Sequence, residues 1–161
     1  MVHYGDSQNP NIASFLKRNH VAVLATASKT AEPYAATIYF ETDSKMNVFF
    51  VTKQKTLKAQ NLAENPRASV AVYDASTQST AQITGHVTVV DDPEMMAKAL
   101  RIMSRHSQET AGTEETPISK LDAGDYVLYK LWPQTIRLGE FKYGPHSQIF
   151  DIATPAEESL E

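Results

Sequence analysis

The chain of 161 residues contains no cysteine, which excludes disulfide bonds, thiolate metal sites and cysteine nucleophiles. The absence also fits a reducing compartment. No apolar run approaches the roughly 20 residues that a membrane-spanning helix needs. The first residues, MVHYGDSQNPNIASF, lack the basic run and apolar core of a secretory signal. We therefore expect a cytoplasmic protein that does not associate with membranes.

Several functional signatures are also missing. The chain has no P-loop, no G-x-G-x-x-G and no G-x-S-x-G motif. The formal net charge of −4 argues against a general nucleic-acid-binding protein but leaves room for a local basic pocket. The histidines show no H-x-x-x-H spacing, and no helix carries a histidine–carboxylate ligand set. We therefore predict no metal site and expect surface or edge positions for His3, His20, His86, His106 and His146.

The apolar fraction of 42% is ordinary for one globular domain. We assign residues 1–150 to this domain and expect the acidic stretch 151–161 to be a disordered tail. Segments rich in β-forming residues predict strands at 21–27, 33–40, 47–52, 67–73, 81–90, and 125–131 with a continuation over 135–142 beyond Pro133. Short loops and the lack of steady β–α alternation predict a mainly antiparallel β-barrel with helices at its ends.

Some local expectations are more specific. The segment 21–27, VAVLATA, is almost wholly apolar and should be buried on both faces. Gly85 inside a strand suggests a bulge or a close backbone approach. Helices are predicted over 11–19, from Thr56 to Asn65, and from Asp91 through Met103. The polar stretch 104–122 is predicted to be a long loop with a short helical piece near 117–121, and 41–46 a hairpin loop.

The most informative stretch is 47–74, NVFFVTKQKTLKAQNLAENPRASVAVYD, which has the pattern strand, short helix, strand. Thr56 is a candidate N-cap for the helix. Lys53, Lys55 and Lys58 crowd the helix start, where the free N–H groups already carry positive partial charge. A bound anion such as a phosphate would reverse this unfavourable electrostatic term. The alternative is that these lysines are simply solvated on the surface.

Three segments, LATASKTAEPYAATIYF, NVFFVTKQKTLKAQNLAENPRASVAVYD and AQITGHV, are together similar to the FMN-binding split β-barrel family of pyridoxamine 5′-phosphate oxidase. The resemblance covers about residues 11–142. It implies a six-stranded antiparallel split β-barrel that forms a homodimer, with FMN in a groove at the subunit interface. The cofactor-binding residues that it implies are Ala36, Thr37, Ile38, Tyr39, Val51, Thr52, Lys53, Lys55, Thr56, Lys58 and Gln82.

The chain also departs from the oxidase pattern. The oxidase carries cations where this chain has Ala36, Glu41 and Leu57, and its C-terminal Arg-x-His pair has no counterpart in IRLGEFKYGPH. Turnover of pyridoxamine phosphate is therefore not expected. The leading hypothesis is an FMN-dependent oxidoreductase that uses a small-molecule substrate or a donor such as NAD(P)H, with no identifiable catalytic side chain. The alternatives are a flavin- or haem-binding protein without turnover and a barrel without a cofactor.

Overall fold

A computed structural model describes residues 2–4, 10–142 and 148–153 of the chain. Within these residues the chain forms nine strands, three α-helices and one 3₁₀-helix. In chain order they are β1 (Val2–Tyr4), α1 (Pro10–Arg18), β2 (Val21–Ala27), β3 (Pro33–Tyr39), β4 (Glu41–Thr42), β5 (Val48–Lys53), α2 (Leu57–Glu64), β6 (Arg67–Asp74), β7 (Ser79–Val89), α3 (Pro93–Ala111), the 3₁₀-helix Pro117–Lys120, β8 (Tyr126–Glu140) and β9 (Gln148–Ala153).

The strands form one sheet in the order β1-β9-β8-β7-β6-β2-β3, and β5 joins it through β8. All pairings are antiparallel except that of β1 with β9. The first part of β8 pairs with β5 as well as β7, so the sheet curls and brings the edge strand β3 near β5. The predicted mainly antiparallel architecture is confirmed: all six predicted strands form, and the short strands β1, β4 and β9 are added.

The core lies inside the curled sheet and is closed at one end by α1. Ile12, Phe15 and Leu16 of α1 are at most 1% exposed. The prediction that β2 is buried on both faces is wrong, because its side chains alternate between buried and exposed. Val21 and Val23 are 40% and 44% exposed. The inner face of β2 meets the core, while no described segment of this chain covers its outer face.

The prediction of a bulge or close approach at Gly85 is confirmed. The register of β7 against β8 shifts between Thr84 and Gly85, and a Cβ atom at Gly85 would lie 1.9 Å from the carbonyl oxygen of Trp132. Gly85 lies opposite Pro133, so the proline sits at an irregularity where a strand tolerates it. For this reason β8 continues through Pro133 as one strand of 15 residues instead of two segments.

Helix α3 is longer than predicted, so the prediction of a loop over its second half is wrong. Its N-cap is Asp92, whose Oδ1 accepts hydrogen bonds from the N–H groups of Glu94 and Met95, and Gly112 ends it in the left-handed region. His106 and Ser107 are both 1% exposed and continue the buried face beyond Met103. Because these inward-facing residues are polar, hydrophobic periodicity could not reveal the last turns.

The segment after α3 packs back onto the helix. Ser104 Oγ donates to Glu114 O at 2.8 Å and Ser107 Oγ donates to Glu115 O at 3.2 Å. The predicted short helical piece near 117–121 is confirmed as the 3₁₀-helix Pro117–Lys120. These contacts hold the segment beside the split between β3 and β5.

The structure has a short strand in the predicted hairpin loop 41–46 and another across the predicted domain boundary at residue 150. Part of the predicted hairpin loop 41–46 is β4, which pairs with Phe49 and Val48 of β5. Strand β9 carries the chain three residues beyond the predicted domain boundary at residue 150, because its backbone pairs with β8. The rest of the predicted tail, 154–161, lies outside the described residues. Among the helices that the structure describes, none is both long and apolar enough to cross a membrane.

Candidate functional site

A cavity of about 550 Å³ lies at the split in the sheet. The edge strand β3 contributes Thr37, Ile38 and Tyr39, β5 contributes Val51, and α2 contributes Lys58. The opposite wall comes from α3 and the segment that follows it. This volume falls within the range of about 300–1,000 Å³ that is usual for small-molecule sites. Five of the predicted cofactor-binding residues are therefore brought together around one cavity.

Lys58 is the unusual member of this lining. It belongs to the first turn of α2 and is only 9% exposed. Its Nζ has no hydrogen-bond or ion-pair partner among the described residues, although Glu114 lines the exposed rim of the cavity. Burial lowers the pKa of Lys58 from its ordinary value, because a charged ammonium loses hydration without gaining a counter-ion. A ligand with negative charge would supply that missing partner.

The start of α2 is also open to a ligand. The prediction that Thr56 caps the helix through its side chain is wrong, although Thr56 occupies the N-cap position. Its hydroxyl instead donates to Lys53 O at 2.8 Å and lies 3.1 Å from Thr52 Oγ1. No side chain therefore caps the first N–H groups of α2, which leaves them available as donors.

The other two lysines do not line the cavity. Lys53 Nζ hydrogen-bonds to Leu121 O and lies 5.2 Å from the centre of the Tyr126 ring, so it holds the wall of the cavity in place. Lys55 has an exposed side chain, and its backbone N–H donates to Ala123 O at 2.9 Å. Thr52 is fully buried beneath the turn. These residues position the turn, while Lys58 alone of the three cations reaches the cavity lining.

Two predicted residues lie on the sheet itself, away from the cavity lining. Ala36 is half-buried in β3, and Gln82 is exposed on the outer face of β7. The register places Gln82 in a row with Ala71, Val23 and Thr37 across four strands. Thr37 belongs both to this outer face and to the cavity lining, so the two surfaces are continuous.

A second cluster was missed by the sequence. His20 follows α1, Glu41 opens β4 and His106 lies on α3, yet their ligand atoms come within 4.8 Å of one another. The expectation of a surface or edge position is wrong for His106, which is 1% exposed. Burial and the neighbouring His106 lower the pKa of His20. No local spacing could reveal the cluster, because each residue comes from a different element.

Comparisons with known proteins are consistent with this arrangement. A sequence model of the family described as pyridoxamine 5′-phosphate oxidase matches residues 9–138. A pyridoxine/pyridoxamine 5′-phosphate oxidase from Nostoc sp. is 26% identical over 145 residues, which are 90% of this chain and 63% of that protein. One from Acinetobacter baumannii is 29% identical over 86 residues, which are 53% of this chain and 39% of that protein. The chain thus spans between 39% and 63% of the length of these curated relatives.

Solved structures share the fold. A pyridoxamine 5′-phosphate oxidase-related, FMN-binding protein from Nostoc punctiforme aligns with a TM-score of 0.61 at 19% identity and covers 88% of both chains. HutZ, the haem storage protein from Vibrio cholerae, aligns with a TM-score of 0.59 at 20% identity over 80% of this chain and 92% of that one. At these identities the similarity establishes the fold alone, and it confirms the predicted split β-barrel.

Replacing Lys58 by Met should stabilise the ligand-free protein by roughly 0.5–2 kcal/mol, because the variant removes an ammonium that burial partly desolvates and that has no counter-ion among the described residues. The pKa of Lys58 is lowered from 10.5, so the unfolded state holds its proton more firmly than the folded state. The free energy of unfolding of the wild type should therefore rise as the pH approaches 10.5. The stability advantage of Lys58→Met over the wild type should shrink over the same pH range. Urea unfolding near neutral pH and near pH 10 measures this.

The matched control is Lys98→Met, which replaces an exposed lysine of α3 and should leave the free energy of unfolding within about 0.5 kcal/mol of wild type. A clear loss of stability in Lys58→Met alone would show that Nζ has a favourable partner in the ligand-free protein. That result would contradict the description of Lys58 as an unpaired cation.

Proposed function

The chain belongs to the pyridoxamine 5′-phosphate oxidase family, and on this premise we propose that it is an FMN-dependent oxidoreductase that works as a homodimer. One observation carries the proposal. Lys58 is a buried cation without a counter-ion, and it lines a cavity beside an uncapped helix start. The dianionic phosphate of FMN supplies the charge that this position lacks.

The residues present fit the phosphate end of FMN. Nζ of Lys58 would form a charge-assisted hydrogen bond, and the first N–H groups of α2 would donate to other phosphate oxygens. The Thr56 hydroxyl lies at the same turn, already oriented by its bonds to Thr52 and Lys53. The turn itself is held by Leu121 and Ala123 of the opposite segment. The anchor is therefore preorganised before a ligand arrives.

The rest of the cavity fits a flat, partly apolar ring. Strand β3 is a sheet edge in this chain, so alternate backbone N–H and C=O groups face away from β2 and are free to bond ring atoms. Val51, Leu100 and Met103 provide apolar walls that exclude water. When FMN is bound, its ring supplies the redox chemistry, and the protein supplies binding, orientation and control of access.

The proposal includes a second copy of the chain on the outer face of the sheet. Val21 and Val23 of β2 and Tyr73 of β6 are 40%, 44% and 64% exposed on this face. Two small exposed residues lie next to Val23 on this face, Ala25 along β2 and Ala71 on β6, and they let another sheet approach closely. Val21 and Thr37 belong to both this face and the cavity, so a partner there would also close the ligand site.

Pyridoxamine phosphate is not proposed as the substrate. Ala36, Glu41 and Leu57 stand where the oxidase pattern has cations, and the C-terminal Arg-x-His pair is absent from the sequence. The apolar cavity walls fit a small organic molecule as the electron acceptor, and the proposed donor is a nicotinamide nucleotide, as in the hypothesis from the sequence.

The phosphate anchor is tested with Lys58→Met. Its affinity for FMN should fall by roughly 1.5–3 kcal/mol, about 10–150-fold, which is the scale of a hydrogen bond to a charged group. Its affinity for riboflavin, which lacks the phosphate, should stay at the wild-type value. Quenching of flavin fluorescence measures both affinities, with Lys98→Met as the control. Equal loss of both ligands, unchanged FMN binding, or uptake of haem in place of FMN would contradict the assignment.

The redox function is tested on the FMN-loaded protein without oxygen. Addition of NADH or NADPH should bleach the visible flavin absorbance, and an added quinone or dye should restore it through turnover. A flavin that stays bound but is never reduced by either donor would identify a carrier and contradict the oxidoreductase assignment. Because FMN binding is measured separately, this outcome is distinguishable from failure of the anchor.

The dimer is tested with Val23→Asp, which places a charge at the centre of the outer face. The variant should sediment as a monomer and lose at least about tenfold in FMN affinity, because a buried unpaired charge costs several kcal/mol at an interface. The control Val89→Asp changes a valine that is 60% exposed near the end of β7 and should remain dimeric. A wild-type chain that sediments as a monomer with FMN bound would contradict this part of the proposal.

A further inference from the structure

Three potential metal ligands meet at the end of the barrel that faces the second half of α3. His20, Glu41 and His106 are separated widely in the sequence but bring one ligand atom each within 4.8 Å of the others. His106 Nε2 lies 3.1 Å from Glu41 Oε2, and the two imidazole rings stack with their centres 3.6 Å apart. None of the three belongs to the cavity lining among the described residues.

The imidazole of His106 is buried and, among the described residues, has only one of its two nitrogens hydrogen-bonded. Its side chain is 1% exposed, and within the described part of the chain its Nδ1 has no hydrogen-bond partner. The nearest acidic oxygen, Glu109 Oε2, lies 3.8 Å from that nitrogen. A buried polar atom without a partner costs about 1–3 kcal/mol, so the surrounding structure must hold the imidazole here against that cost.

We propose that His20, Glu41 and His106 bind a zinc ion. Two imidazoles and one carboxylate are a donor set that zinc accepts, with bonds of about 2.0–2.2 Å. Tetrahedral geometry with such bonds puts neighbouring ligand atoms about 3.3–3.6 Å apart. His106 Nε2 and Glu41 Oε2 are 3.1 Å apart, and all three ligand atoms lie within 4.8 Å of one another. The site does not suit soft metals that require thiolate ligands, because the chain has no cysteine.

The ring planes determine what must move. They are only 9° from parallel, whereas a shared ion must lie near the plane of each ring. His106 is fixed by its burial on α3, while the side chain of His20 is 20% exposed. Metal binding therefore tilts His20 away from the stack. The exposed edge formed by His20 and Glu41, whose side chain is 28% exposed, is the path by which the ion enters.

Glu109 completes the site from outside. With the ion on Nε2 of His106, Nδ1 carries the proton, and Glu109 Oε2 is the acceptor that has only to approach from 3.8 Å. Such a carboxylate behind a metal-bound histidine fixes its tautomer and raises its basicity. Arg105 lies 4.0 Å from the other oxygen of Glu109. This supporting contact accounts for the Nδ1 atom that is otherwise unpaired.

The site would join three separate parts of the fold. His20 lies where α1 gives way to β2, Glu41 lies in β4, and His106 lies in α3. A metal bound by all three would fix the second half of α3, which carries one wall of the ligand cavity through Met103 and Ser104. The proposed ion is therefore structural, and it does not depend on the proposed flavin chemistry.

Zinc binding to the metal-free protein is measured by competition with a chromophoric chelator. The wild type should bind one zinc ion per chain. His20→Gln and Glu41→Gln should each weaken binding by more than the roughly 10–100-fold that loss of an outer partner costs. His86→Gln, which removes a half-buried histidine of β7 outside the cluster, should behave like wild type. Failure of the wild type to bind zinc, or equal affinity in all variants, would overturn the proposal.

Two further measurements keep the test independent of how well a variant folds. Zinc should raise the melting temperature of the wild type and of His86→Gln but not of Glu41→Gln, because an ion that binds only the folded state stabilises it. Cobalt bound to the unmodified chain should give the visible absorption of a four-coordinate site, and zinc should displace it. A weak cobalt spectrum typical of six-coordinate, mainly water-bound cobalt would overturn the assignment to this cluster.

Discussion

The buried charge of Lys58 is the constraint on which the proposed site depends. A lysine at 9% exposure without a counter-ion is unfavourable in the ligand-free chain, and burial lowers its pKa. The same position becomes favourable once a phosphate occupies the helix start, because desolvated charges attract each other strongly. Stability and binding are therefore opposed at this residue. A chain that retains such a group gives up folding free energy for a ligand that is present in its working state.

The split in the sheet provides the space that this charge faces. Strand β8 is long enough to pair with β5, β7 and β9 along its length, so it curls the sheet and leaves β3 as an edge opposite β5. The irregularity at Gly85 and Pro133 lets β8 keep this course, because no side chain could fit between Gly85 and the Trp132 carbonyl. Backbone hydrogen bonding thus creates an edge and a cavity in the same step.

Much of this could be predicted from local pattern and some of it could not. Short segments rich in β-forming residues predicted all six main strands, and the three lysines pointed to the turn where Lys58 lies. The exposed face of β2 was missed, because Val21 and Val23 are as apolar as core residues although they are 40% and 44% exposed. The end of α3 was missed because His106 and Ser107 face inward as polar residues. The histidine cluster depends on tertiary contacts between distant segments, which no spacing rule contains.

Glu41 bears on both the proposed phosphate site and the cluster of His20, Glu41 and His106. The oxidase pattern that the sequence resembles has a cation at this position, whereas this chain has a carboxylate. The structure shows where the carboxylate goes instead: it lies 3.1 Å from His106 and faces the histidine pair. Under the two proposals, the carboxylate at this position would contribute to the metal site and not to the phosphate site. In the proposed site the anchoring of a phosphate would rest mainly on Lys58 and the start of α2, because the described cavity residues include no second buried cation.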